Sequence, residues 1–467
     1  MSKEASFQEF VAAKAEELAV PGVAAGIFFK GEEHYAFHGV TSIENPLEVD
    51  EKTLFQFGST GKTFTGTAVV QLVEQGKVEL DVPVRTYVPE LKLKDESVAE
   101  KVTVLQLLNH SAGWAGDFLE STGDGDDALA RYVEKMADLD QVTPLGETVS
   151  YNNASLILAG RLIENVTGKT HELAMKEMIF EPLGLDMTFF FMNDIMTRRF
   201  AVGHNQKPDG TISIARPWAI PRSAAPAGGM SATAHDQIAW ARFHLGDGRS
   251  SDGTRVLSEV LLKRMQETQI ETPGNTVGDA VAITWWIRNM GGLRVIAHGG
   301  TTYGQHSAFE IVPDKEFAFI SMTNCGPNGP QLNDEAFKWA LNEYLGVEVK
   351  DPEPISLADE ELRVFAGRYE TIAAISHITP SSGGLELRVE IKPETLKQMR
   401  DAGEETPDEQ EQTFVLGLLP GDGDLYIVTE GAAKGLKGYF VRNESGEIEA
   451  VHVGGRLATK IKDAVPA

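Results

Sequence analysis

Apolar side chains recur at helical spacing over residues 7–18 (FQEFVAAKAEEL), and Pro21-Gly22 stops the pattern. Two strand-like runs follow, Val23–Phe29 and His34–Gly39, with the turn-rich Lys30-Gly31-Glu32 between them. The spacing then predicts a helix over Thr63–Gln75, closed by Gly76 at the position where glycine ends helices. Between about 85 and 275 helical stretches (Val104–Leu108, Ser155–Val166, His235–Leu245, Ser258–Glu267) alternate with Gly/Asp-rich loops. Strands return at Ile283–Met290, Leu293–Ala297, Ser307–Val312 and Phe317–Thr323, and a helix over Gln331–Leu345 closes this part. Helices therefore bracket strands from both ends, which predicts one mixed sheet built from chain-distant pieces.

Asp351-Pro-Glu-Pro354 reads as a linker, because two prolines so close cannot continue a helix. Beyond it come short strand-like runs, Gly384–Ile391, Thr413–Leu418, Leu425–Val428, Gly438–Arg442 and Glu449–Val453, separated by Gly/Asp turns. They predict a small all-β barrel or sandwich. The acidic interlude Asp401–Gln412 reads as a solvated loop. The expected domains are residues 1–350 and 355–467.

Composition narrows the class. The 467 residues are 42% hydrophobic and 24% charged, ordinary for a globular protein. The apolar runs are too short for a membrane span, and the start MSKEASFQEF lacks a basic segment followed by an apolar core. A cytoplasmic location is the expectation. The single cysteine, Cys325, excludes an internal disulfide and a cysteine-based metal cluster. A net charge of −27 repels phosphate backbones and anionic membranes, so neither nucleic acid nor a membrane is an expected partner.

Three short segments can carry chemistry. In Phe55-Gln-Phe-Gly-Ser-Thr-Gly-Lys-Thr63, Ser59 sits where a helix begins and Lys62 lies on the same face, three residues on. An amine beside a hydroxyl can help take its proton, and a helix start offers N–H groups to a developing anion. The plain alternative is a capping serine followed by a surface lysine. Gly61-Lys62-Thr63 also matches the end of a phosphate-binding loop, but Gln56 stands where that loop needs glycine. In Ser150-Tyr-Asn-Asn153, Tyr151 is the one tyrosine with asparagine two residues on, a phenol for proton transfer beside an amide for a substrate carbonyl. Its alternative is that Asn152 or Asn153 merely caps the next helix. In His298-Gly299-Gly300, glycines on a strand let a substrate backbone approach, and Thr301 offers an N–H that with Ser59 would complete an oxyanion hole. Here the alternative is a hairpin with a structural histidine. No His-Glu-x-x-His is present, since His171-Glu172 lacks the second histidine, so no metal or cofactor is expected.

Ser-x-x-Lys, Tyr-x-Asn and His-Gly-Gly occur in that order, 92 and 147 residues apart. This arrangement resembles the serine β-lactamase and penicillin-recognising superfamily, nearest to its class C β-lactamase, D-aminopeptidase and family VIII carboxylesterase branch. Leu107-Leu-Asn-His-Ser-Ala-Gly113, Thr143-Pro-Leu-Gly-Glu147 and Ala227-Gly-Gly-Met-Ser231 are similar to segments of that family. The likeness covers about residues 7–346, and Leu362-Arg-Val-Phe-Ala-Gly-Arg-Tyr369 opens a region similar to lipocalin-like C-terminal domains of some members.

The resemblance implies an α/β fold of the α+β type. A mainly antiparallel sheet is flanked by helices, a helical subdomain is added, and a β-barrel follows. It implies Ser59 as nucleophile, Lys62 as its activating partner, Tyr151 as proton shuttle and Asn153 as the amide that holds substrate. His298 takes the place of the lysine in the Lys-Thr-Gly motif of β-lactamases, with Gly299 for the threonine. A histidine is mostly neutral at pH 7 and suits a substrate carboxylate less than an ammonium does. Trp114, Phe118 and Tyr303 are candidates for lining a pocket or for packing a loop. The expected function is a serine hydrolase acting through an acyl-enzyme, a peptidase or amidase of small or D-residue-containing peptides. A carboxylesterase is the alternative, and a non-hydrolytic binding or sensing protein, acylated slowly or not at all, the alternative of another class. The expected partner is a small molecule or short peptide, with a homo-oligomer left open.

Overall fold

The computed structural model describes residues 2–207, 209–401, 403, 406, 411–421, 424–431 and 433–461. The chain divides into two compact units, one of Met1–Ile270 and Val281–Val349, the other of Glu271–Ala280 and Lys350–Ala467. Glu271–Ala280 thus belongs with the second unit although chain order sets it within the first.

The first unit is built on a sheet whose strands run in the order Glu32–Gly39, Gly22–Phe29, Phe317–Thr323, His306–Val312, Leu293–Thr301 and Trp286–Met290. From Glu32–Gly39 as far as Trp286–Met290 every neighbouring pair is antiparallel, with registers such as Ala25↔Ser321 and His298↔Phe309. The helices Lys3–Glu17 and Asn328–Leu345 bury Phe7, Val11, Leu332 and Phe337 with Phe319 of the sheet. Phe7 stacks on Trp339 with ring centroids 5.8 Å apart. Gly26 of the sheet accommodates Ile238 of the helix Ala234–Leu245, where a Cβ would come within 2.8 Å.

The helix Gly61–Glu74 is buried over Gly61–Leu72 on every side, the mark of a core helix rather than an amphipathic surface one. Its threonines are compatible with that burial because each hydroxyl has a partner. Thr63 donates to Thr60 O at 2.7 Å, Thr65 to Pro226 O at 2.8 Å and Thr67 to Thr63 O at 2.8 Å. The helix starts two residues before the Thr63 expected from periodicity.

The strand expected over Ile283–Met290 begins only at Trp286. Ile283 N–H bonds to Met265 O and Thr284 N–H to Leu108 O, so both leave the ladder, and Thr284 stands at φ +57°. The strand expected to end at Ala297 instead runs to Thr301 and carries His298-Gly-Gly within it.

The second unit contains a closed eight-stranded barrel. Its strands are Gly367–Glu370, Ala374–Ser381, Gly384–Ile391, Glu411–Leu418, Leu425–Val428, Lys437–Arg442, Ile448–Val453 and Arg456–Lys460. Pairing of Tyr369 with Lys460 closes it, and Leu385, Leu416, Tyr426, Phe440 and Val451 fill its core. The alternation of apolar and polar residues exposes five of these strands to sequence reading and hides Gly367–Glu370, Ala374–Ser381 and Arg456–Lys460. The helix Pro393–Asp401 also escapes it. The loop expected at Asp401–Gln412 lies mostly outside the described residues, and its end, Glu411–Gln412, opens a strand.

Candidate active site

The segment Phe55–Gln56 pairs with Ser231–Ala232 and leads into the tight turn Gly58–Thr60, from which the core helix starts. Gly58 holds φ +51°, and a Cβ there would lie 2.6 Å from Thr301 N. A Cβ on Gly300 would strike the Phe57 carbonyl and sit 2.7 Å from Ser59 N. The turn and the strand Leu293–Thr301 thus run against each other at the two residues, Ser59 and Thr301, whose N–H groups the oxyanion reading needs. Side chains lock the same contact. Thr60 Oγ1 donates to His298 O at 3.1 Å, and Ser307 Oγ donates to Phe57 O at 2.7 Å. Thr60 and Ser307 are hydroxyls that no spacing rule singles out.

Lys62 is fully buried, which removes the surface-lysine alternative. Its ammonium donates to Ser59 Oγ at 2.9 Å and to Ala227 O at 2.7 Å. It also stands 5.0 Å from the centre of the Tyr151 ring, within cation–π range. Ala227 opens the segment Ala227–Ser231, so this family-like stretch supplies both a carbonyl for the lysine and a strand beside the turn.

Tyr151 precedes the helix Asn153–Thr167 and is 7% exposed. Capping falls to Asn152, whose side chain accepts the Ser155 N–H at 2.9 Å and donates to Trp114 O at 2.8 Å. Asn153 is relieved of that task, and its Nδ2 donates to Asp117 Oδ1 at 3.0 Å.

His298 is 2% exposed, and its ring meets Tyr151 edge-on with centroids 6.4 Å apart. Its Nδ1 lies 2.6 Å from Gly299 O. A carbonyl can only accept, so Nδ1 carries the proton and Nε2 is the bare nitrogen. Among the described residues Nε2 has no hydrogen-bond partner. Burial, and then the charge of Lys62, hold the imidazole pKa down at about 3, so it is neutral at pH 7.

Ser59, Lys62, Tyr151, His298, Gly300 and Thr301 therefore come together from three chain-distant segments. Gly299 is exposed beside them. Trp114 is 2% exposed, and its carbonyl accepts from Asn152 at 2.8 Å. Phe118 packs on Tyr132 at 5.1 Å. Tyr303 is half-buried in the turn after Thr301, its carbonyl against Gly203. Among the described residues no group of three or more His, Cys, Asp or Glu side chains could hold a metal ion. No described helix is long and apolar enough to cross a membrane.

The model of the family described as Beta-lactamase matches residues 7–342. The chain belongs to the beta-lactamase family. Within that family, a "Penicillin-binding protein 4" of Amycolatopsis lactamdurans is 34% identical over 376 residues, 78% of this chain and 97% of that protein. A "Beta-lactamase" of Yersinia enterocolitica is 28% identical over 53% of this chain and 61% of its own length. Among solved structures, SurE aligns with a TM-score of 0.75 at 23% identity over 98% of this chain and 99% of its own. A structure of SurE with D-Leu aligns with a TM-score of 0.72 at 23% identity over the same shares. The octameric penicillin-binding protein homologue from Pyrococcus abyssi aligns with a TM-score of 0.64 at 21% identity, covering 98% of this chain and 100% of its own. At these identities the structural likenesses speak to the fold, which in all three spans the beta-lactamase-family body and the barrel.

Proposed function

We propose that this chain is a serine hydrolase that works through an acyl-enzyme on amide or peptide bonds of small or D-residue-containing peptides. The observation that carries the reading is the buried Lys62 ammonium, 2.9 Å from Ser59 Oγ. Ser59 Oγ attacks the carbonyl carbon while its proton passes to the Lys62–Tyr151 pair, which accepts it in the form with one proton fewer, an amine beside a phenol or an ammonium beside a phenolate. The carbonyl oxygen becomes the oxyanion and takes the N–H groups of Ser59 and Thr301. The C–N bond then breaks, and the departing nitrogen receives a proton through Tyr151. Water then attacks the acyl carbon and gives a proton to the same pair, the C–Oγ bond breaks, and Ser59 Oγ takes that proton back.

His298 supports a peptidase or amidase over a main activity on β-lactams. A neutral imidazole offers a substrate carboxylate no charge, where the Lys-Thr-Gly lysine offers a full one. Because SurE, a protein of like fold, has been solved with D-Leu, D-leucyl amides belong among the probes. An ester would use the same machinery with an oxygen leaving group, and a binder would stop at the acyl-enzyme.

Intact-mass spectrometry after exposure to esters, L- and D-peptide amides and a β-lactam separates these readings. The expected result is a transient adduct with a D-peptide amide and turnover of it, with neither in Ser59→Ala. Loss of the nucleophile should cost on the order of 10⁴–10⁶ in rate. Retention of even a tenth of the activity in Ser59→Ala would remove Ser59 from its role. Turnover of esters alone would make the protein an esterase, and a stable adduct without turnover would make it a binder.

A further inference from the structure

His110 lies in Leu107–Gly113, a segment to which the mechanism above gives no part. It is 1% exposed, and its backbone holds φ +59°, a left-handed conformation that residues other than glycine seldom adopt. Such strain persists only where the surroundings impose it.

At His110 those surroundings are the three residues centred on Tyr151. The His110 carbonyl accepts the Ser150 N–H at 3.1 Å. Its Nδ1 accepts the Asn152 N–H, also at 3.1 Å, which makes the imidazole the Nε2–H tautomer. Between those two bonds the imidazole lies along the Tyr151 ring, centroids 4.6 Å apart and planes at 24°. Trp286 lies against both rings, 5.4 Å from His110 and 6.3 Å from Tyr151, nearly parallel to each. One residue thus bonds the neighbours of Tyr151 on either side and stacks on Tyr151 itself.

We propose that His110 is a positioning residue for Tyr151, keeping the phenol in place beside Lys62. The inference rests on the serine-hydrolase reading, in which the Tyr151 hydroxyl moves protons. A phenol turns about two torsions, and a displacement of about 1 Å of a catalytic group can cost on the order of 10²-fold in rate. The left-handed backbone at His110 is what points both its carbonyl and its ring at residues 150–152.

Two substitutions divide the device. His110→Asn puts an amide oxygen in reach of the Nδ1 position and tolerates the left-handed backbone, but has no ring to stack. His110→Phe keeps a ring and loses the acceptor. Each is made in the parent and in Tyr151→Phe, and single-turnover acylation of Ser59 by an activated ester is followed by intact mass, with thermal midpoints and KM recorded. In the parent both substitutions should slow acylation about 10–100-fold while KM stays within about twofold. In the Tyr151→Phe background neither should slow it further by more than about twofold, because the group being positioned is gone.

Equal losses in the two backgrounds would overturn the proposal, since His110 would then act on the fold at large. Acylation at the parent rate by either folded variant would also overturn it. If His110→Phe does not fold, His110→Asn decides alone. Two controls contain no His110 substitution and report on the underlying reading. A parent that no ester, amide or β-lactam acylates overturns that reading, and Tyr151→Phe acylating at the parent rate removes Tyr151 from it. In either case the positioning role falls for a reason that the controls identify.

Discussion

A lysine three residues after a serine on a helix is usually a surface residue, because an ammonium taken out of water costs several kcal/mol unless acceptors receive its protons. Lys62 is out of water, and Ser59 Oγ and Ala227 O receive two of those protons. This arrangement makes Ser59 more than a capping serine, and the same reasoning extends to the phenol beside it. Tyr151 is 7% exposed and bounded by the rings of His110, Trp286 and His298. Tyr151→Phe keeps those ring contacts and removes only the hydroxyl. The acylation rate should fall roughly 10²–10⁴-fold with little change in thermal midpoint. A near-normal rate with a lowered midpoint would instead assign Tyr151 to packing.

At the scale of elements, the candidate site forms where a turn and a strand approach more closely than side chains allow. Gly58 tests this directly, with Gly76 as the reference. Both hold positive φ, +51° and +68°, but nothing lies within 4 Å of a Cβ on Gly76, whereas a Cβ on Gly58 would lie 2.6 Å from Thr301 N. Gly76→Ala should cost about 1–2 kcal/mol in stability and leave acylation unchanged. Gly58→Ala should cost more and slow acylation by at least about 10²-fold as the strand is pushed from the turn. Equal effects of the two on acylation would show that backbone strain, and not the close approach, matters. The sequence makes much of this legible. Helical and strand periods place Val104–Leu108 and Phe317–Thr323 to the residue, and motif order singles out Ser59, Lys62, Tyr151 and His298, which the fold brings together. Contacts that depend on the third dimension stay hidden. Thr60 and Ser307 look like ordinary hydroxyls until the strand meets the turn, and His110 like part of a loop until its ring meets Tyr151. Ile283 and Thr284 read as strand because both are β-branched, while their N–H groups bond to Met265 and Leu108. Pro380 and the short Gly367–Glu370 similarly weaken the alternation that marks barrel strands.

For the molecule as a whole, titratable groups buried in the core tie stability to pH. Burial holds the imidazoles of His171 and His306 at about 4 and those of His244 and His298 at about 3, and lowers His204 as well. Each takes a proton in the unfolded chain near pH 6.5 but not in the folded one. Their stability is therefore present above 6.5 and is lost as pH falls from there toward 4. Buried carboxyls act in the opposite sense. Burial raises Asp236 to about 6 and Glu310 to about 7, the latter despite Arg288 at 2.7 Å, and also raises Glu164. Folding favours their protonated forms, so their contribution fades as pH rises from about 4 to 7. Near pH 5 the four histidines with the largest shifts outnumber Asp236 and Glu310 by about two protons, a slope on the order of 3 kcal/mol per pH unit. The thermal midpoint should accordingly climb from pH 4.5 to 6.5 and then level off. His244 isolates the cause. It sits among Trp240, Phe243 and Trp285, and among the described residues neither of its ring nitrogens has a hydrogen-bond partner. His244→Phe removes one titrating group from an aromatic pocket, and should flatten the climb by an amount equivalent to about one proton. Melting curves of both proteins at constant ionic strength decide the matter. A midpoint that falls between pH 4.5 and 6.5 would show that Asp236, Glu310 and Glu164 prevail, and an unchanged slope in His244→Phe would show that His244 does not contribute to it.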